Sequence, residues 1–236
     1  MELLLSALVT CAGSTIDSVL AKMRIPVTAL NVVADAERAE RVPRVYTHIS
    51  LEFHLASEAP ADRLRHAIEV TERTCSASVM LARSAEISPR LVHVRFVEPE
   101  ITRPLRRQIL RPHQNLDDLV SPGETDPGAV WLAAHDGEEV VATMGLIPES
   151  PPDGTTAARP YRLRGMATSE PMRGRGLGAV VLGAGLERLR SQGADLVWCS
   201  ARKPAAGFYR AAGFTETSAE YQVEHIGPHV RMAMPL

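Results

Sequence analysis

The sequence holds three cysteines in 236 residues, Cys11, Cys75 and Cys199. They are too few and too widely spaced for a disulfide framework or a zinc site. A reducing cytoplasm and no metal are therefore expected. An excess of charge is missing too: 26 basic against 28 acidic residues leave a net charge of −2. That balance argues against a general nucleic-acid partner and against an anionic membrane. No run reaches the roughly 18 uninterrupted apolar residues of a membrane helix. The apolar start MELLLSALV has no basic flank before it and no clear cleavage site after it, so it is expected to be a core helix rather than a signal peptide. Internal repeats and low-complexity tracts are absent.

What is present is a stretch from Tyr161 to Ala179, YRLRGMATSEPMRGRGLGA. An apolar-alternating run, Tyr161, Leu163, Gly165 and Ala167, suits a strand. Ser169-Glu170-Pro171 turns the chain, and Arg173-Gly174-Arg175-Gly176-Leu177-Gly178 leads into a long apolar segment of helical length. A glycine-rich turn before a helix exposes N–H groups at its positive end and suits phosphate oxygens; Arg173 and Arg175 add charge beside it. The turn lacks the Gly-Lys-Ser/Thr of a P-loop, and its Arg-x-x-Gly-x-Gly spacing is not a dinucleotide-binding fingerprint. Two readings stay open: a phosphate-bearing cofactor, or a strand-to-helix turn with no ligand.

The first part of the chain reads differently. Leu4, Leu8, Cys11, Ala12, Ile16, Val19, Leu20 and Met23 recur at helical steps until Pro26. Val27–Ala34 reads as a strand. Val45–Leu55 alternates cleanly, with Tyr46, His48, Ser50, Glu52 and His54 on a polar face expected to be solvated rather than metal-binding. Residues 60–83 read as one helix with Leu64, Ile68, Thr71 and Cys75 inward. Cys11 and Cys75 thus fall on the inward stripes of two helices, as small hydrophobes or as a redox pair. A boundary is expected where Ser88-Pro89 interrupts the pattern, giving domains at 1–90 and 91–236. Beyond it come a strand at 91–97, a basic helix near 103–110 with a solvated arginine face, a loop at 112–128, a hairpin at 129–147 and a proline-rich loop at 148–160. The strand 161–167, a helix at 177–191, a strand at 195–199, a short helix at 204–212 and two closing strands complete the chain. Cys199 is expected in the core.

MELLLSALVTCAGSTIDSVLAKMR and RTCSASVMLARS resemble the OsmC-like family of thiol-dependent organic hydroperoxide peroxidases, over about residues 1–90. The two cysteines stand 64 positions apart, as in that family. The resemblance implies that Cys11 attacks a peroxide and Cys75 resolves it as a disulfide. The family carries strands and an activating arginine before its first cysteine helix, whereas this sequence begins at the helix. The resemblance therefore implies either that Met1 is not the true start or that the domain is shortened, with an uncovered sheet edge or apolar patch. It would act as a structural or dimerising half, giving a homodimer.

LRGMAT, RGRGLG and AAGFYRAAGF, in that order, resemble the GNAT superfamily of acyl-CoA-dependent N-acyltransferases over nearly all of residues 92–236. The fold class implied for the whole chain is α+β or α/β, with a mixed sheet splayed between strands 161–167 and 195–199 and flanked by helices. Acetyl-CoA is the implied cosubstrate. Its pantetheine arm would meet Met166, Ala167 and Thr168, and its pyrophosphate the turn Arg173, Gly174, Arg175, Gly176, Leu177, Gly178 and Ala179. Tyr209 matches the family's general acid, which protonates the departing thiolate. Arg202 stands where many members have asparagine, so it or Lys203 would meet a CoA phosphate. Glu98, Glu170 and His135 are the candidate bases, and the loop carboxylates Asp117, Asp118, Glu124 and Asp126 are placed to attract a cationic amine. The expected activity is N-acetyl transfer to an amine acceptor. The alternatives are a peroxidase through Cys11 and Cys75 and a non-catalytic acyl-CoA-binding module.

Overall fold

The computed structural model describes residues 2–236, so the place of Met1 as a start lies outside the described residues. The chain packs as two compact units. The first comprises residues 1–95 together with 134–139 and 172–180; the second comprises 96–133, 140–171 and 181–236. The secondary structure is mixed α+β.

The first unit opens with α1 (Glu2–Lys22). Leu8, Ala12, Ile16, Val19 and Leu20 form its buried stripe. Thr10, Thr15 and Ser18 turn their hydroxyls back onto carbonyls four residues earlier, at 2.8, 2.7 and 3.0 Å. Those internal bonds leave the helix apolar overall, and at 21 residues it is long and apolar enough to cross a membrane by length and composition. The expectation that no segment reaches that length is corrected here; the strict count of uninterrupted apolar residues misses hydroxyls that the helix satisfies itself.

Strands β1 (Ala29–Arg38) and β2 (Tyr46–Ala56) pair antiparallel from Ala29↔Ala56 to Arg38↔Tyr46. The helix expected over 60–83 is broken into α2 (Ala61–Thr74) and α3 (Ser76–Leu81). Cys75 lies at the break with φ −70° and ψ 114°. Its N–H still closes the first helix on Thr71 O (2.7 Å), and its carbonyl starts the second through Val79 N (3.0 Å). Helical spacing alone does not register a single extended residue. Strand β3 (Glu86–Phe96) pairs parallel to β2 from His48↔Glu86 to Ala56↔Val94 and runs straight through Ser88-Pro89. A proline costs a ladder bond only on the side its nitrogen faces, so it did not end the strand as its sequence suggested. The helices cover a core built around Phe53, Leu8, Ile16 and Leu64. Leu3 and Met80 remain 87% and 70% exposed.

The second unit begins with α4 (Pro99–Leu110), whose first turn carries proline where no N–H is needed. Strands β4 (Val130–Asp136) and β5 (Glu139–Pro148) follow a loop containing a short 3-10 turn, Asp117–Leu119. Then come β6 (Pro160–Thr168), α5 (Leu177–Ser191), β7 (Leu196–Arg202) and α6 (Ala206–Ala211). The short strands β8 (Thr215–Glu216) and β9 (Tyr221–Val223) and the longer β10 (Gly227–Pro235) end the chain. The strand order is β4-β5-β6-β7-β10-β8, with β9 also on β10. Only the β6–β7 pair is parallel among the registers from β5 to β10.

Trp131 of β4 fixes how closely β5 can approach. Its indole donates to Glu124 O at 3.0 Å, and its ring lies against Gly145. A Cβ on Gly145 would sit 2.5 Å from the Trp131 ring. A rigid indole cannot yield as a flexible side chain would, so Gly145→Ala is expected to cost on the order of 1–3 kcal/mol through overpacking. Urea unfolding of the two proteins would measure it, and equal midpoints would contradict this packing.

Candidate functional site

The parallel ladder between β6 and β7 starts at Pro160↔Leu196 and stops at Leu163↔Cys199. Beyond it, β6 continues to Thr168 and β7 to Arg202 without pairing to each other. The β5–β6 register shifts between Thr143 and Gly145, a bulge that bends β6 where it leaves its neighbour. Gly165 sits there with φ +60°, and Thr143 Oγ1 secures it by donating to Gly165 O at 2.9 Å. Met166, Ala167 and Thr168 follow directly, so their main chain on the β7 side has no strand partner.

Arg106 supports this bend from α4. It was expected on a solvated face, yet it is buried. Its guanidinium donates to Leu119 O (2.8 Å), Ser121 Oγ (2.9 Å) and Thr102 Oγ1 (3.3 Å), and stacks on Trp131 at 4.6 Å. Glu124, expected as a loop carboxylate open to an amine, is only 3% exposed. It pairs with Arg103, lies 3.7 Å from Arg106 and accepts from Ser121 N at 2.8 Å. A buried carboxylate needs such partners, so Glu124 is committed to the wall rather than to a substrate.

A cavity of about 580 Å³ opens along the parted strands, lined among others by Met166, Cys199, Arg202, Tyr209, Tyr221 and His229. Its size is that of a small-molecule site. Tyr209 reaches it from α6, wedged edge-on against Phe208 and Phe214 at 5.1 and 5.5 Å. Burial pushes its phenol well above the ordinary value, and the nearby Cys199 adds to the shift. Burial likewise pushes the Cys199 thiol up to about 12, against a small opposing effect of Arg162. Both groups stay protonated at neutral pH.

Arg202 turns its Nη2 onto Leu110 O at 2.7 Å, and Lys203 faces Glu216 and Glu220 at 3.8 and 3.9 Å. Glu98, Glu170 and His135 are not among the residues that line the cavity. His229, which the sequence reading passed over, does line it. Its Nδ1 lies 2.9 Å from Gly227 O, which places the ring hydrogen on Nδ1 and leaves a lone pair on Nε2. The only sequence signal was a histidine inside a closing strand.

The turn from Arg173 to Ala179 belongs to the first unit. Gly174 and Gly176 have φ +74° and +76°. Among the described residues the N–H groups of Arg175 and Gly176 have no backbone acceptor, which suits an anion. Arg175, however, is already engaged. Its Nε and Nη2 grip Glu52 at 3.1 Å each, and Nη2 also pairs with Asp35. Asn31 Nδ2 donates to Arg175 O at 3.0 Å, and a Cβ on Gly176 would lie 2.8 Å from that same amide. The open side of Gly176 is thus narrowed by Asn31, in addition to any ligand it could admit. Glu52 and His54, expected on a solvated strand face, are 2% and 0% exposed. His54 Nε2 is 3.2 Å from Glu52 Oε2, and Arg90 adds a second cation at 3.4 Å. Alternation identified the face; it could not show that arginines would cover it.

The two cysteines of the first unit meet. Cys75 Sγ donates to Cys11 Sγ at 3.0 Å, and both are free thiols. Burial raises the Cys75 pKa, but the Ser78 hydroxyl, the Cys11 thiol and the N–H groups of Ser78 and Ala77 outweigh it, so the net shift is downward. Ser78 Oγ is buried and has no other partner among the described residues.

Residues 95–214 match the model of the acetyltransferase (GNAT) family, and residues 1–90 match that of the OsmC-like proteins. An uncharacterized N-acetyltransferase, YitI, of Bacillus subtilis (strain 168) is 30% identical over 142 residues, 60% of this chain and 95% of the relative. Protein YhfA of Escherichia coli (strain K12) is 32% identical over 90 residues, 37% of this chain and 67% of the relative. Among solved structures, FeeM, an N-acyl amino acid synthase from uncultured soil microbes, aligns with a TM-score of 0.50 at 14% identity, covering 60% of this chain and 89% of that one. Parted strands, a cleft with a buried tyrosine and these matches together define an acyltransferase. The chain belongs to the acetyltransferase (GNAT) family and carries an OsmC-like region at its start.

Glu52 generates a test of the first unit. Its pKa is lowered, first by the hydrogen bond with His54 and then by Arg175 and Arg90, against desolvation. A carboxyl depressed in the folded state stabilises fully above its unfolded pKa of about 4.3, and that contribution is lost as pH falls through the lower folded value. Glu52→Gln is expected to cost roughly 3 kcal/mol at pH 7, the low end for a broken buried pair because Arg90 is part-solvated. The variant should also lose less stability than the parent on acidification below about pH 4.3. Parallel stability curves across that range would contradict the pairing.

Proposed function

We propose that the protein transfers an acetyl group from acetyl-CoA to the nitrogen of an amine, with residues 91–236 carrying the reaction and residues 1–90 forming the OsmC-like domain. The observation that carries this reading is the β6 edge left unpaired after Leu163. Unpaired main-chain groups on that edge fit an extended pantetheine arm as an added strand, at Met166, Ala167 and Thr168. The Arg173–Ala179 turn offers its N–H groups to the pyrophosphate, with the charge of Arg175 offset by Glu52 and Asp35. A cytoplasmic setting accords with the three free thiols.

Acetyl-CoA supplies the activated carbonyl. The N–H of Met166 or Ala167 polarises its oxygen. His229 Nε2 takes a proton from the amine, so that the nitrogen attacks as a neutral group. The C–N bond forms as the C–S bond breaks; Tyr209 gives its hydroxyl proton to the departing sulfur, and the proton shed by the acylated nitrogen returns through solvent to the tyrosine oxygen. Burial suits Tyr209 to that role, because it keeps the phenol protonated until a thiolate appears beside it. Tyr209→Phe is expected to retain acetyl-CoA binding, measured by calorimetry, while kcat for thiol release falls by roughly 100-fold. Unchanged kcat would remove the tyrosine from the mechanism, and absence of acetyl-CoA binding by the folded parent would remove the transferase reading.

The paired thiols favour a second activity in the first unit. A Cys11 thiolate would displace the alcohol of an organic hydroperoxide, becoming a sulfenic acid. Cys75 would then attack that sulfur, releasing water and closing a disulfide. Cys11→Ser should abolish hydroperoxide consumption. Ser78→Ala, which removes a contact that lowers the Cys75 pKa, should slow disulfide closure near neutral pH. Consumption that survives Cys11→Ser would exclude this activity.

A further inference from the structure

The charge lining the second unit's cavity points to the class of acceptor, and we infer that it is an amine that also bears an oxyanion, a carboxylate in the first instance. This rests on the transferase reading above. Arg106, Arg111, Arg162, Arg164 and Arg202 line the cavity against a single carboxylate, Asp118. They are not equivalent. Arg106 is consumed by Glu124 and by the carbonyl and hydroxyls around it. Arg162 and Arg164 share one carboxylate, Glu149, at 2.7 and 3.0 Å. Their Nε atoms are buried and have no partner among the described residues.

Arg111 and Arg202 are the uncompensated pair. Among the described residues neither has a carboxylate within ion-pair distance, and both donate to one atom, Leu110 O, at 3.1 and 2.7 Å. Two guanidinium groups converging on one carbonyl repel each other. Burial, and then the charge of Arg202, hold the Arg111 pKa below its ordinary value. Asp118 forms no ion pair with either among the described residues; its Oδ2 is turned to the backbone and side-chain amides of Asn115 at 3.2 and 3.3 Å.

A wall with this surplus disfavours a polycation. It favours a group that takes several N–H donors at once, and carboxylate and phosphate oxygens match the planar fork of arginine. Bound there, the anion of the acceptor anchors one end of the molecule while its amine faces the reacting carbon. The phosphates of the donor are the other anions at hand, and the test must separate the two.

The test uses the full chain with acetyl-CoA and thiol release. The acceptors are the common α-amino acids, their α-carboxamides, phosphoethanolamine and spermidine. Amino acids or phosphoethanolamine should be used at least about tenfold better than the amides and spermidine, and whichever of the two anions wins identifies its source. Arg111→Gln and Arg202→Gln keep a donor for Leu110 O but lose the charge. They should raise KM for the anionic acceptor roughly 10- to 100-fold, with little change in kcat or in KM for acetyl-CoA. Amides or spermidine used as well as the acids would overturn the inference. So would variants whose loss falls on KM for acetyl-CoA, which would assign the arginines to the donor. If no acceptor releases thiol, calorimetry with N-acetyl-amino acids and their amides reads the wall directly. Binding of the acids alone, weakened in Arg202→Gln, supports the inference; equal binding, or none of either, overturns it. Failure of the transferase reading shows separately, as absence of acetyl-CoA binding.

Discussion

A ladder that stops halfway governs the second unit. After Leu163↔Cys199 two neighbouring strands stop bonding to each other, and each leaves main-chain donors and acceptors that need another partner. The parting is held open by packing. The bulge at Gly165 turns β6, Thr143 ties the turn down, and Arg106 fills the space beneath it on Trp131. Trp131 in turn presses on Gly145 and anchors to Glu124 O. The cleft is therefore held by the same packing that builds the core around Trp131.

Arginine performs three different tasks in this chain. Arg106 is a buried structural cation whose donors are met by carbonyl, hydroxyl and carboxylate oxygens. Arg175 joins two carboxylates and orders a glycine-rich turn. Arg111 and Arg202 converge on Leu110 O with no carboxylate within ion-pair distance among the described residues. Ion clusters of the first two kinds add little net stability, because desolvation offsets most of their attraction. They fix position instead. The third kind holds one carbonyl and no carboxylate among the described residues.

Local periodicity was readable wherever one residue did not decide the outcome. The boundaries of α5 and the place of β2 follow from apolar spacing. The glycines at 174 and 176 marked a turn because positive φ excludes most other residues. Most of the misses share a cause. Cys75 breaks a helix with one extended residue, Pro89 sits in a strand without ending it, and neither changes the pattern around it. Glu52 is buried against Arg175, 123 positions away, whereas His54, Arg106 and Glu124 are buried by partners on their own or a neighbouring element, and apolar spacing registers neither. A sequence shows a charge, but not the charge that will neutralise it. His229 was missed for a different reason: a histidine in a closing strand gives no sign in the sequence that its ring faces a cavity.

The grip of Asp35 and Glu52 on Arg175 means that the two lineages in this chain are interleaved rather than joined end to end. The matches change near residue 95, yet the glycine-rich turn of the later lineage takes its counterions from strands of the earlier one. Severing the chain at that seam would leave a cation on the turn with no counterion and a buried carboxylate on β2 without its principal cation. The inheritance of positions 35, 52 and 175 is then joint: a charge reversal at any one of them demands its complement at another, across a boundary that family matching alone would treat as a clean division.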